Sequence, residues 1–155
     1  RSAVATWCED PAAAKAMYGP IASWDTSGIT DIYGLFSKRH DFNEDISRWD
    51  VSNVVDCRNC FEDASSFAGD ISQWRLGKVT DMYRLFINAE SFNSDISSWP
   101  VAQVTDMKWM LCGAKSFDRK LGGEWTTCTA DMRGMFDNDC LGSIAGRTND
   151  NGTPE

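Results

Sequence analysis

The sequence repeats itself every 25 residues, and this period constrains the fold more than any other feature. Trp24, Trp49, Trp74 and Trp99 are 25 residues apart, and Trp125 follows Trp99 by 26. A single unit of this length cannot bury its own tryptophan, whereas stacked neighbours can. The period therefore predicts a stack of repeats whose tryptophans form one core column.

Each repeat has two recognisable parts. The first, as in residues 46–51, carries an isoleucine, a tryptophan three positions later and an apolar residue two positions after that. This spacing matches the short strand of a leucine-rich repeat. The second part starts at an aspartate, such as Asp81, and continues with Met82, Leu85 and Phe86, which is the spacing of one helical face. The sequence predicts an α/β repeat solenoid, a short leucine-rich-repeat-like stack of about five strand–helix coils.

The chain divides into three segments by this pattern. Residues 1–23 do not follow the period, and Pro11 suits the first turn of a helix that Gly19 and Pro20 end. We expect this segment to be an N-terminal helical cap over the first repeat. Residues 24–141 form the predicted solenoid. Residues 142–155 are polar and glycine-containing and are predicted to be an irregular C-terminal tail.

An aspartate recurs at the start of the second part of every repeat. In adjacent repeats these carboxylates would lie about 5 Å apart and repel one another by roughly 1 kcal/mol in water. Capping of the predicted helices explains their register, because an aspartate there accepts backbone N–H bonds. A calcium column is the alternative. The predicted caps are Asp31, Asp56, Asp81, Asp106 and Asp131.

Six cysteines are compatible with an oxidising compartment, but their spacing does not fix a connectivity. Cys57 and Cys60 occupy inward columns, which favours buried thiols over a redox or zinc motif. We predict one disulfide, Cys112–Cys128, near the end of the array.

A second column, adjacent to the aspartates, is predicted to point outward. It is basic and aromatic in an otherwise acidic protein, and arginine and tryptophan together are typical of binding hot spots. The alternative is a solvated face with cation–π contacts between repeats. The predicted partner-binding residues are Tyr33, Arg58, Tyr83, Arg84, Lys108, Trp109 and Arg133.

Charge and motif content restrict the function classes. The net charge of −8 and the isoelectric point near 4.6 argue against binding of nucleic acid or an anionic membrane. No apolar run approaches the ~20 residues of a membrane helix. The chain has one histidine and no phosphate-binding or catalytic triad pattern, so we expect no enzyme activity, no metal and no cofactor.

The repeat unit resembles that of the BspA-like (DUF285-type) family. The resemblance is carried by WDVSNVVD, the following apolar positions and FNSDIS, and it extends over residues 21–121 and partly over 125–136. Such repeats occur in bacterial surface proteins, including mycoplasma lipoproteins, and in algae and other protists. Cys57, Cys60, Leu111 and Lys120 depart from the family pattern.

The resemblance implies a leucine-rich-repeat-like solenoid that mediates adhesion or protein contacts, without a shared active site. We therefore expect a non-catalytic protein–protein interaction module, secreted or displayed at the cell surface. The alternative is a small accessory subunit in an organelle lumen, docked on a larger membrane complex such as a photosynthetic one.

Overall fold

The computed structural model describes residues 1–147. Two helices lead into the chain, α1 (Ser2–Glu9) and α2 (Pro11–Tyr18), and a 3-10 turn follows at Ile21–Ser23. Near the other end lie β1 (Lys120–Leu121), α3 (Glu124–Thr127) and β2 (Ser143–Ile144). Strands β1 and β2 pair in parallel.

The helix expected from Pro11 to Gly19 is confirmed as α2. Asp10 caps its start, since the Asp10 carboxylate accepts the backbone N–H of Ala13. Gly19, with a φ of +76°, ends it and donates its N–H to the carbonyl of Lys15. Helix α1 precedes Asp10, so the N-terminal segment contains two short helices instead of one.

The repeats between residues 24 and 119 contain neither the predicted strand nor the predicted helix. The segment after each aspartate is a run of consecutive turns. Every second backbone N–H group of this segment donates to a carbonyl of the next repeat. For example, the N–H of Ile32 donates to the carbonyl of Asp56, and that of Phe36 donates to the carbonyl of Cys60. The N–H groups between these donors close turns within the segment by bonding to the carbonyl three residues earlier, as the N–H of Leu35 does with the carbonyl of Ile32. A helix would use all these donors internally, so stacking and helix formation exclude each other.

Positive φ angles fix this backbone conformation. The third residue after each repeat aspartate has φ between 52° and 67°, and it is glycine, asparagine, arginine or tryptophan. A residue in this left-handed region ends a right-handed helix within one turn. The residues at this position are Gly34, Asn59, Arg84, Trp109 and Gly134.

From Trp49 onward, each tryptophan of the core column is anchored to the repeat before it. The indole N–H of Trp74 donates to the carbonyl of Ile46, and that of Trp99 donates to the carbonyl of Ile71. Trp49 and Trp125 make the corresponding bonds. These four rings are at most 7% exposed, whereas Trp24 in the first repeat is only half-buried.

Two files of phenylalanine rings complete the interior. Phe36, Phe61 and Phe86 stack at centroid distances of 5.2 and 5.4 Å. The second file runs beside the first with spacings of 5.8 to 6.2 Å and consists of Phe42, Phe67, Phe92 and Phe117. Successive repeats are therefore joined by one continuous apolar interior.

Both ends of this interior are partly covered. At the start, Trp7 of α1 and Tyr18 of α2 pack edge-on against Trp24, at 5.8 and 6.1 Å. At the other end the guanidinium of Arg147 donates to the carbonyls of Thr126 and Cys128. The segment predicted as an irregular tail therefore begins with β2 and an arginine anchor. The rest of that prediction, for residues 148–155, lies outside the described residues.

Candidate functional site

The repeat aspartates cap turns and not helices. In every repeat the carboxylate accepts the backbone N–H of the residue two positions later, as Asp81 does from Tyr83 at 2.9 Å. This is an Asx turn, which satisfies one donor at the start of the turn segment. The predicted acceptor function of these aspartates is thus present, but the helices they were expected to cap are absent.

Cations offset the charge of this aspartate column. Arg58 is paired with Asp56 at 2.6 Å, and Arg133 is paired with Asp131 at the same distance. Lys108 similarly pairs with Asp106 at 2.9 Å. In the first repeat the partner comes from outside the array, because Arg1 pairs with Asp31 at 2.7 Å.

Two of these pairs lower the pKa of their carboxylates, those of Asp56 and Asp131. A side-chain hydrogen bond from Arg133 is the main cause that brings the pKa of Asp131 to about 2. The pKa of Asp56 is lowered chiefly by the corresponding bond from Arg58. The pKa of Asp45 is also lowered, by hydrogen bonds from Ser47. Such carboxylates favour the folded state only while they are ionised.

We expect the free energy of unfolding to fall as the pH falls from about 4 to about 2. The folded-state pKa of Asp131 lies below its ordinary value of 3.8, so its contribution is complete above pH 4 and is lost towards pH 2. Urea unfolding at pH 6, 4 and 2.5 measures this. Asp131→Asn should reduce the difference between pH 6 and 2.5, whereas Asp41→Asn, at an exposed position without an ion pair among residues 1–147, should leave it unchanged. Equal pH dependence in all three proteins contradicts the assignment.

The predicted partner-binding residues fall into separate groups. Arg58 lies over the Tyr33 ring at 5.5 Å, beside the first aspartate pairs. Lys108 and Arg133 are engaged by aspartates of their own repeats. The structure brings together one compact group, the Arg84 cluster, which consists of Tyr83, Arg84 and Trp109.

In the Arg84 cluster a guanidinium lies over two aromatic rings. Its Cζ is 5.2 Å from the centroid of Tyr83 and 5.4 Å from that of Trp109. The two rings meet edge-to-face at 5.7 Å. All three side chains are half-buried, and the Trp109 ring lies directly over Gly134 of the next repeat. The guanidinium is therefore held in one orientation by the rings around it.

Arg84 lies farther from a carboxylate than the other cations among the predicted partner-binding residues. Among residues 1–147 the carboxylate nearest to Arg84 is that of Glu62, at 4.0 Å, whereas Arg58, Lys108 and Arg133 have carboxylates within 2.9 Å. Its Nε is buried and has no hydrogen-bond partner within the part of the chain that the structure describes. The cluster thus presents an oriented cation whose hydrogen-bonding capacity is incompletely used.

The predicted Cys112–Cys128 disulfide is not formed, because all six cysteines are free thiols. The sulfur of Cys112 accepts a hydrogen bond from Asn138, whereas that of Cys128 faces the carbonyls of Val101 and Val104. The two side chains therefore belong to different parts of the last repeats. Spacing along the sequence did not reveal this separation.

Cys57 and Cys60 are fully buried, as their column positions predict. Burial raises the pKa of both thiols, which keeps them protonated at neutral pH. We expect maleimide to label them at least about a thousandfold more slowly than in the unfolded chain, because labelling requires an opening that costs roughly 5 kcal/mol. Half-buried Cys8 is the internal comparison and should react first. Mass mapping of a labelling time course tests this order, and early labelling of Cys60 contradicts it.

No grouping of three or more histidine, cysteine, aspartate or glutamate side chains within residues 1–147 has the arrangement of a metal site. None of the helices described here has the length and hydropathy of a membrane-spanning segment.

Comparison with known families gives a match. The family described as "Mycoplasma protein of unknown function, DUF285" matches residues 11–125, more than half of the chain. The chain belongs to this family. The match includes α2 and the core tryptophans from Trp24 to Trp125, so the family signal coincides with the stacked repeats. No curated protein and no solved structure matches.

Proposed function

We propose that this DUF285 protein is a non-catalytic protein–protein interaction module. In this proposal the stacked repeats form a short solenoid, and the Arg84 cluster is its main contact surface. The observation that supports it is a guanidinium held between Tyr83 and Trp109, with no carboxylate of residues 1–147 closer than 4.0 Å.

The cluster has the properties of a binding hot spot. Its side chains are already ordered by mutual packing, so association costs little further side-chain entropy. Arginine, tyrosine and tryptophan are also the residues most enriched at energetically dominant interface positions. The partner surface that suits it carries a carboxylate for Arg84 and an apolar rim for the two rings.

Two settings suit such a module. One is a secreted or cell-surface binding and adhesion protein. The other is an accessory subunit in an organelle lumen, held on a larger membrane complex. The side chains of the Arg84 cluster are held rigidly, which suits a permanent interface. This supports the accessory subunit as the second setting.

Affinity purification with tagged variants tests the proposal. We expect Arg84→Gln to reduce recovery of a stoichiometric partner by about tenfold or more, since truncating an interface arginine hot spot costs ~2 kcal/mol or more. Arg75→Gln is the matched control, because Arg75 is exposed on another part of the repeat and contacts no ring. Equal recovery with both variants contradicts this surface. Density-gradient sedimentation then separates a free protein from a subunit of a membrane complex.

A further inference from the structure

The first repeat leaves an apolar groove at the N-terminal end of the stack. The groove has a volume of about 440 Å³, which lies in the range of ligand-binding clefts. Trp24, Ile29 and Leu35 of the first repeat form its floor, and Tyr18 of α2 and Val4 of α1 contribute to its walls.

The later repeats show what this groove lacks. Val54, Val79 and Val104 occupy the position of Ile29 in their repeats and are at most 2% exposed, because the preceding repeat covers them. Among the described residues, helices α1 and α2 and not a repeat precede Ile29, which is 41% exposed. The half-buried state of Trp24, compared with Trp49 at 6%, has the same cause. Helices α1 and α2 therefore cover only part of the first repeat.

The backbone at this end is also incompletely paired. In the second repeat the carbonyls of Asp56 and Cys60 accept N–H groups from the first repeat. The corresponding carbonyls of the first repeat are those of Asp31 and Leu35, which line the groove. Within residues 1–147 no donor reaches either of them, whereas the carbonyl of Tyr33 between them accepts a bond from the Arg1 guanidinium. A polypeptide segment lying along the groove would supply such donors.

The rim of the groove is acidic. Asp25, Asp31 and Asp50 line it, and Arg1 is the one cation among the lining residues. Arg1 is already paired with Asp31. Hydrogen bonds from Ser27 and Ser52 lower the pKa of Asp25 and Asp50, so both carboxylates are ionised at neutral pH. A cationic group is the complement of this rim.

We infer that this groove binds a short peptide segment of a partner protein, with apolar side chains on Ile29 and a flanking lysine or arginine at Asp25 and Asp50. Backbone N–H groups four residues apart in the peptide donate to the carbonyls of Asp31 and Leu35. The site is separate from the Arg84 cluster, and it selects the opposite charge.

The direct test uses the whole chain and the synthetic peptide acetyl-Lys-Val-Thr-Val-Lys-amide. Titration monitored by two-dimensional NMR should shift the indole N–H signal of Trp24 and the methyl signals of Ile29. The peptide with glutamate in place of both lysines should bind at least about threefold more weakly, since exposed ion pairs contribute roughly 0.2–1 kcal/mol each. Equal binding of the two peptides overturns the charge selection. Shifts elsewhere without any at Trp24 or Ile29 overturn the site.

Variants separate the apolar, ionic and backbone contributions. Ile29→Ser should weaken binding by about tenfold, because it removes apolar area from the floor. Val55→Ser is the matched control, since Val55 is 53% exposed and lies outside the groove, and it should change nothing. Asp25→Asn combined with Asp50→Asn should abolish the preference for lysine over glutamate. A peptide methylated at both lysine backbone nitrogens, which are four residues apart like the donors Ile32 and Phe36 of the first repeat, should lose most of its affinity, and unchanged affinity overturns the backbone pairing.

Discussion

Replacing Trp99 by alanine is expected to lower the free energy of unfolding by about 4 to 5 kcal/mol. The ring is 1% exposed and packs against Phe86 at a centroid distance of 6.1 Å. Its removal leaves a cavity between two repeats and takes away the donor for the carbonyl of Ile71. Urea unfolding followed by far-ultraviolet circular dichroism measures the loss.

Two further variants divide this effect into its causes. Trp99→Phe keeps most of the apolar area and removes the N–H donor, so we expect a loss of about 1 to 3 kcal/mol. Trp24→Ala is the matched control at the open end of the stack. Because Trp24 is half-buried, its loss should be about 1 to 2 kcal/mol. Equal losses for Trp24→Ala and Trp99→Ala would contradict a continuous interior shared by successive repeats.

Replacing Gly134 by alanine is expected to cost about 2 to 5 kcal/mol for two separable reasons. Gly134 has a φ of +67°, which an alanine adopts at a cost of about 1 to 2 kcal/mol. A Cβ there would also lie 2.4 Å from Cδ1 of Trp109, so the ring would have to move. The movement would also disturb the contact between Trp109 and Arg84.

The chain offers a control for each reason. Gly34 occupies the same place in the first repeat, with a φ of +56°, and a Cβ there meets only the side chain of Ser37, at 3.8 Å. Gly34→Ala should therefore show the conformational cost alone. In a Trp109→Ala background the cost of Gly134→Ala should fall close to that of Gly34→Ala, with only the Asp137 carboxylate, 3.3 Å from the added Cβ, as a remaining tight contact. If the cost of Gly134→Ala is the same in both backgrounds, the ring does not rest on this glycine.

The same glycines show where local sequence patterns mislead. Apolar residues at spacings of three and four indicate a helix, and Met82, Leu85 and Phe86 follow that spacing. Consecutive turns repeat at similar intervals and also place these side chains inside, where all three are at most 1% exposed. The column with positive φ, which includes Asn59 and Gly134, was the sequence signal against a helix.

The candidate site was predictable as a column but not as a set of contacts. The period places Tyr83 and Trp109 on one face, and it also aligns Arg58, Lys108 and Arg133. Whether each cation finds a carboxylate depends on distances of a few ångströms between side chains. Those distances leave Arg84 as the cation with the weakest acidic partner.

The sequence alone determined that successive repeats share one interior, because a 25-residue unit cannot bury its tryptophan and phenylalanines without neighbours. It also determined the bounds of α2 through the local signals of Pro11 at its start and Gly19 at its end. Only the tertiary structure decided the backbone conformation of the repeats, the state of the cysteines and the groove at the first repeat. These features depend on hydrogen bonds and contacts between residues about 25 positions apart, which local propensity does not encode.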